Sequence, residues 1–492
     1  VTGVTLQAES IAGSPFTTRN STPVNGGLGS ARILTPTAAP AITSAPTISY
    51  SDLKVGTTLA AVPGDSTSSP LATTTWQWLF DGVDAGDGTG LYTLTESDAG
   101  KTLVLRQTDT NVEGSAQQDS APIAIDALSA PAIATAPAVA LGTHSNVLET
   151  TTGAVSGNPE PAVTWSWEES ADGVSGWSAV ADEATRFLEA RGSRAGKFFR
   201  VTQTATSSQG VVTSVSNVVE IAAARDTLDL ITSAVLAFSV PRRLRSGVSF
   251  PYRVIETAGN TTQDVGFDAE GVTDTAAMEA FVTGAGATEG GLDAAYDQSG
   301  HVNAVDMDFY QAGFPQFLRR PGGIETYDGV HVANANHNGY RYLANDATGW
   351  ATRPAGNGVA IVVFARPGAD TKFSLPSTRA GDAVYFSATS GGAFGFTLDV
   401  NGQRSVVTPT DTQADAYNAI PATGFCILVM RGIDYTQAEW DGISFSGAWR
   451  QTSFDGYQNV IEHIHLADPT ETEIAAIERS MAAFYGITAY EG

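Results

Sequence analysis

The sequence predicts an all-β protein: two small β-sandwich modules in tandem, then a larger two-layer β domain closed by one helix. Three observations lead there. The first half is rich in Thr, Ser, Val, Gly and Pro, with short alternating runs between turn residues. A unit of about 90 residues occurs twice within it, a length that suits a sandwich of about seven strands. The second half carries near-continuous apolar runs at 359–364, 383–386 and 425–430, the pattern of strands covered on both faces.

Residues 1–40 are Gly-, Ser-, Thr- and Pro-rich and too short for a core of their own. They read either as a flexible tail or as an extended anchor arm that orders against a partner chain. The repeat follows. Trp76-Gln77-Trp78 recurs as Trp165-Ser166-Trp167, and Ala99-Gly100-Lys101 as Ala195-Gly196-Lys197. Seven residues beyond each of those glycines stand Gln107-Thr108 and Gln203-Thr204, and seven beyond each glutamine a turn glycine, Gly114 or Gly210. The lead-in Pro40-Ala41-Ile42 matches Pro131-Ala132-Ile133. The modules are therefore placed at 41–126 and 130–222. Residues i and i+2 of a strand share a face, so each tryptophan pair can fill the space between two sheets without a cystine. The stretch 91–103, Leu91-Tyr92-Thr93-Leu94 through Asp98-Ala99-Gly100-Lys101, resembles bacterial immunoglobulin-like domains of the kind strung along phage fibres and surface adhesins.

The domain at 225–492 is expected to be one sizeable sandwich. Its closing helix has Asp468 as cap, Pro469 at the first helical position and Glu471 to complete a capping box. Ile474, Ile477, Met481 and Phe484 form its apolar stripe, which is expected to pack on the sandwich, and Gly486 stops it. Ala237-Phe238-Ser239-Val240-Pro241-Arg242, then Gln263-Asp264-Val265-Gly266-Phe267, Asp274-Thr275-Ala276-Ala277 and Tyr296-Asp297-Gln298-Ser299-Gly300 follow in an order that resembles the concanavalin A-like (LamG-type) jelly roll. That fold is shared by fungal arabinofuranosidase B catalytic domains and many phage fibre tips. The resemblance implies a jelly roll and a relation to carbohydrate. The usual Gly-Asn-Gly-Asn after the last motif is here Gly300-His301-Val302-Asn303, and the enzymes' adjacent cysteine pair has no counterpart. No residue is therefore assigned a catalytic role.

Composition narrows the function. Lys plus Arg number 26 against 52 Asp plus Glu, a formal charge of −26, which repels nucleic-acid phosphate and anionic lipid. No apolar run reaches the roughly 18–20 residues of a membrane span. Cys426 is the only cysteine, so neither an intrachain disulfide nor a thiolate metal cluster can form. Val1-Thr2-Gly3-Val4-Thr5-Leu6 lacks the basic and apolar regions of a secretory signal, so folding in a reducing bacterial cytoplasm is expected.

Several constellations could carry chemistry. On a strand, Asp306 and Asp308 would lie about 6–7 Å apart, near the spacing of inverting glycosidases; a solvated outer face is the simpler reading. His463 and His465 share a face, and His331 and His337 lie in an Asn-rich loop. Imidazoles at i and i+2 can chelate zinc, but spacing identifies no third ligand, so polar-surface or subunit-interface histidines are expected. Asp81–Gly88 lacks the bidentate acid of a calcium loop and reads as a turn. Gly284–Gly290 misses the dinucleotide fingerprint and reads as a loop. No metal or cofactor is expected.

Sugar binding needs exposed rings beside amide and carboxylate groups. Tyr340, Tyr342, Trp350, Trp440, Trp449 and Tyr457 lie in loop-like, Gly/Asn-rich stretches. Singly each is expected in the core; together they are the candidate carbohydrate-binding residues. The arm–stalk–tip order and the resemblances imply a virion adhesin on the particle exterior, a tail fibre or head spike of a phage or gene-transfer-agent-like particle. Its arm would bind other virion proteins, its jelly roll would bind host surface polysaccharide, and it would form a homo-oligomer. The alternatives are a glycoside hydrolase acting on capsular or arabinose-containing polysaccharide and a bacterial cell-surface adhesin.

Overall fold

The computed structural model describes residues 37–301 except 87, 144 and 182, together with 307–309, 317–332, 343–344, 354–365, 372–374, 385–387, 394–436, 459–488 and 490. Among the described residues the protein is all-β sandwich with three short α-helices. Two compact units result, the first built mainly from residues up to Ile125, the second from Asp126 onward. Among the described residues no helix is long and apolar enough to cross a membrane.

The first module pairs Thr73–Phe80 with Thr102–Asn111 at the centre of a five-stranded sheet, opposite a sheet of Thr47–Ser49, Thr58–Val62 and Leu91–Thr93. The second module repeats this plan. Ala162–Ser170 pairs with Lys197–Ser207, opposite Ala138–Leu141, Val147–Thr151 and Phe187–Glu189. The sequence repeat has a physical basis at each position. Trp78 and Trp167 are fully buried between the sheets, and their indole N–H groups donate to the Thr89 and Thr185 carbonyls at 3.1 and 2.8 Å. Trp76 and Trp165 pack half-buried against the same cores. The repeated glutamines are buried polar clips: Gly64 N–H donates to Gln107 Oε1, and Gly153 N–H to Gln203 Oε1, each at 2.8 Å. Gly100 and Gly196 both adopt φ of 76°, which explains the repeated Ala-Gly-Lys.

The C-terminal domain is a two-sheet sandwich. Its six-stranded sheet runs Ala234–Ser239, Asn459–Ala467, Asn357–Ala365, Phe425–Asp434, Thr397–Val400, Gln403–Val407. A seven-stranded sheet is built around Thr262–Val265, Tyr252–Glu256 and Gly290–Ala295. The predicted double coverage of the long strands is observed. Ala360, Val362, Leu428 and Met430 face the second sheet and helix α1 (Thr275–Gly284). Val359, Ile361, Val363, Ile427 and Val429 face a second core that contains Ile474, Ile477 and Met481 of helix α3 (Glu471–Tyr485). Helix α2 is the short Gln413–Ala419. Cys426 is buried in the core between the sheets, and burial pushes its thiol up to about 12.

The α3 cap differs from expectation by two residues. Thr470, not Asp468, is the N-cap: its hydroxyl accepts from Glu473 N–H at 3.2 Å while Glu473 accepts from Thr470 N–H at 3.0 Å. Asp468 has a left-handed φ of 47°, and its carboxylate accepts from Asn357 N–H at 2.8 Å, so it turns the chain and is already engaged. Gly486, at φ 64°, ends the helix as expected. Of Gly284–Gly290, Gly284 ends α1, Gly290 starts the next strand and 285–289 form the loop between them, and Asp81–Gly82 is a turn with both φ positive.

Candidate functional site

The carbohydrate candidates Tyr340, Tyr342, Trp350, Trp440, Trp449 and Tyr457 lie outside the described residues, as do Asp306, His337 and the arm up to residue 36. Asp308 is in the Met307–Phe309 strand, opposite Ala294 and Ala344.

The histidines correct the expectation of surface positions. His463 and His465 do share a face, but it is the face between the two sheets, and both are fully buried. His463 lies 5.2 Å from the Phe238 ring and 5.3 Å from that of His465. His465 Nδ1 shares a 3.0 Å hydrogen bond with the Tyr435 hydroxyl. Burial drives both imidazoles toward the neutral form, His465 down to about 3. His331 is also interior. Its Nδ1 meets the Glu325 carbonyl at 3.1 Å, which must accept, so Nδ1 carries the proton and Nε2 accepts from Tyr252 Oη at 2.9 Å. Burial brings His331 down to about 4. With both nitrogens engaged it is not a metal ligand. Among the described residues, no three His, Cys, Asp or Glu side chains form a group that could hold a metal.

The motifs of the jelly-roll resemblance prove to be clasps. Asp297 accepts from Ala237 N–H at 2.9 Å, and Gln298 Oε1 from Leu244 N–H at 2.7 Å, which ties the seven-stranded sheet to the segment carrying Phe238 and Arg242. Arg242 is buried between two carboxylates. Its Nε and Nη2 donate to Glu462 at 2.8 and 2.7 Å, and its Nη1 to Glu189 of the second module. Burial alone disfavours its charge, but Glu462 and Glu189 outweigh that and hold its pKa above the usual value. Ser480 of α3 bridges Arg242 and Glu189 at 3.0 and 2.9 Å, and the Tyr485 hydroxyl donates to Glu462 at 2.9 Å. These partners are hydrogen-bonded to one another within the network, which joins the second module to the sandwich.

Chemistry open to solvent gathers on the outer face of the seven-stranded sheet. Tyr252 and Val254 point into the core, so Arg253 points out. Register sets Asp264 opposite Arg253 on one neighbouring strand. On the other, Asp293 accepts from Arg253 Nε. Tyr252 pairs with Ala295, so the residues just beyond these strand ends, Phe250 and Tyr296, meet at one edge. Tyr296 N–H donates to the Pro251 carbonyl at 2.9 Å, which fixes the second of them. The rings are 6.5 Å apart and inclined at 58°. Tyr296 reaches across the intervening strand, and its hydroxyl donates to Asp264 Oδ1 at 2.5 Å. Phe250 is 41% exposed. An apolar ring pair bordered by carboxylates and a guanidinium can stack the C–H face of a sugar and bond its hydroxyls.

Sequence reading missed this patch. Tyr296 stands inside the Tyr-Asp-Gln-Ser motif, which marks the fold, and Phe250 is a single ring between Ser249 and Pro251. The usable signal is an aromatic residue beside a proline at a strand start, where inward packing is not enforced.

No family model matches this chain, and no curated protein matches it. Among solved structures it is similar to Sidekick-1 immunoglobulin domains 1–5, at 19% identity over 37% of this chain and 39% of that one, with a TM-score of 0.23. It is similar to an arabinofuranosidase complexed with arabinofuranosyl-α-1,2-xylobiose, at 15% identity over 51% and 62%, with a TM-score of 0.35. A chimeric titin Z1Z2 matches at 16% identity over 37% and 96%, with a TM-score of 0.23. The chain thus spans 39% and 62% of the first two structures.

Proposed function

We propose that this chain is a virion structural adhesin, a tail fibre or head spike of a phage or gene-transfer-agent-like particle, whose C-terminal sandwich binds polysaccharide on the host surface. The observation that carries the binding role is the Phe250–Tyr296 ring pair beside Asp264 and Arg253, displayed outward on a sheet whose other face is core. A platform on a packed sheet is held in place before the ligand arrives, which lowers the entropy lost on binding. The buried Arg242 joint makes the second module and the sandwich one body, a construction suited to a tip that bears load. In this reading the arm at 1–40 contacts other virion proteins, the first module is stalk, and Tyr340, Tyr342, Trp350, Trp440, Trp449 and Tyr457 add sugar contacts. Assembly takes place in the bacterial cytoplasm, and homo-oligomers multiply weak contacts.

Two measurements test it. Pull-down of the full chain on intact host cells is expected to be abolished by stripping surface polysaccharide; undiminished binding to stripped cells contradicts the adhesin role. Low-resolution microscopy of particles labelled with antibody to this chain is expected to place it on the exterior. Label confined to broken particles contradicts the virion position.

A further inference from the structure

On the reading of this surface as a glycan site, we infer that its ligand is a neutral polysaccharide, stacked on Phe250 and Tyr296 and hydrogen-bonded by Asp264 and Arg253, with uronate-bearing chains excluded. The inference comes from the charges that frame the rings. Three ionic side chains lie in a row across three adjacent strands: Asp264, Arg253 and Asp293. One cation stands against two anions. The guanidinium is already committed to Asp293 through Nε, so its charge is balanced within the row. Asp264 is the unbalanced charge. Tyr296 engages its Oδ1, which leaves Oδ2 at an exposed position beside the rings as an acceptor for sugar hydroxyls.

A carboxylate accepts hydrogen bonds and cannot donate them, so it selects hydroxyls and rejects another carboxylate. Placing a uronate there would set its carboxylate beside that of Asp264, and the one cation of the row is already paired with Asp293. The chain as a whole reinforces this, with 52 acidic against 26 basic residues. Strands about 4.8 Å apart give the row a span of about 10 Å, room for two sugar rings.

The test is affinity electrophoresis of the full chain through gels containing dextran or mannan, both neutral, or alginate or polygalacturonate, both uronates. Retardation by a neutral polymer and none by the uronates is expected. Phe250→Ala is expected to weaken the neutral interaction at least tenfold with an unchanged melting temperature, since the side chain is exposed. Asp264→Lys, which changes the sign of the row, is expected to create retardation by alginate that the natural chain lacks. Wild-type retardation by alginate equal to that by a neutral polymer overturns the neutral-ligand inference and leaves the glycan site standing. No retardation by any of the four, or full retention by Phe250→Ala, overturns the site itself.

Discussion

The two small modules share one inner face and differ on one outer face. Inside, Leu59 and Leu148 are equivalent, as are Trp78 and Trp167, and Gln107 and Gln203. On the outer side of the three-stranded sheet the registers also match, but the chemistry does not. The first module places Thr58 opposite Thr93, with their hydroxyls 2.9 Å apart, and Leu91 is 60% exposed. The second places Val147 opposite Glu189, and Phe187 at the Leu91 position; all three are buried. Phe187 packs against Tyr490 at 5.6 Å, Glu149 takes Arg479 at 3.0 Å, and Glu189 takes Arg242. A fold is thus kept by its inward residues, while a few outward substitutions turn a module into part of a neighbouring core.

The largest expected effect breaks that joint. Arg242→Ala strands Glu189 and Glu462 in the interior and should destabilise the second unit by about 5 kcal/mol, read by urea unfolding. The transition of the first module should not move. Phe187→Ala is expected to cost about 3–5 kcal/mol through the cavity it leaves against Tyr490.

Acid should separate the units next. Residues 41–126 contain no histidine. In the C-terminal domain His331, His463 and His465 are held neutral by burial. Below about pH 6.5 the unfolded chain binds protons that the folded one refuses, so stability falls as pH drops toward 4, by roughly 3 kcal/mol for His331 alone. Glu183, Asp226 and Glu478, which burial raises, act in the opposite sense through more modest shifts. Thermal melts from about pH 7 to about pH 5 should lower the second transition and leave the first in place; a parallel decline of both would contradict this assignment.

The shared inner face makes smaller demands. Gln107→Ala and Gln203→Ala each leave a glycine N–H without its acceptor and should cost about 1–3 kcal/mol. At the bottom of the scale, Leu91→Ala should change stability by less than about 0.5 kcal/mol, against the large loss at the equivalent Phe187.

The repeat, the helix and the double-faced strands were legible because each rests on local periodicity. The interior position of His463 and His465 was not. Alternation shows that they share a face, but Glu462, Ile464 and Leu466 on the opposite face are no guide to which side is wet when both are covered. The α3 cap was ambiguous for a related reason. Asp468 and Thr470 are both good caps, and a backbone angle two residues upstream decided between them. Nothing in the sequence around Glu189 announces that it meets Arg242, because that pairing joins the second module to the C-terminal sandwich across 53 positions of chain. The ring pair is not legible in the sequence because its members are 46 positions apart and meet only through strand register.

The deeply buried Cys426, with its thiol held in the protonated form, has a practical consequence. Maleimide and iodoacetamide react with accessible thiolate, so the folded natural chain should stay unlabelled. One cysteine introduced at an exposed position, such as Val112 or Val174, would then be a unique attachment point for a fluorophore or gold particle, with no background to subtract.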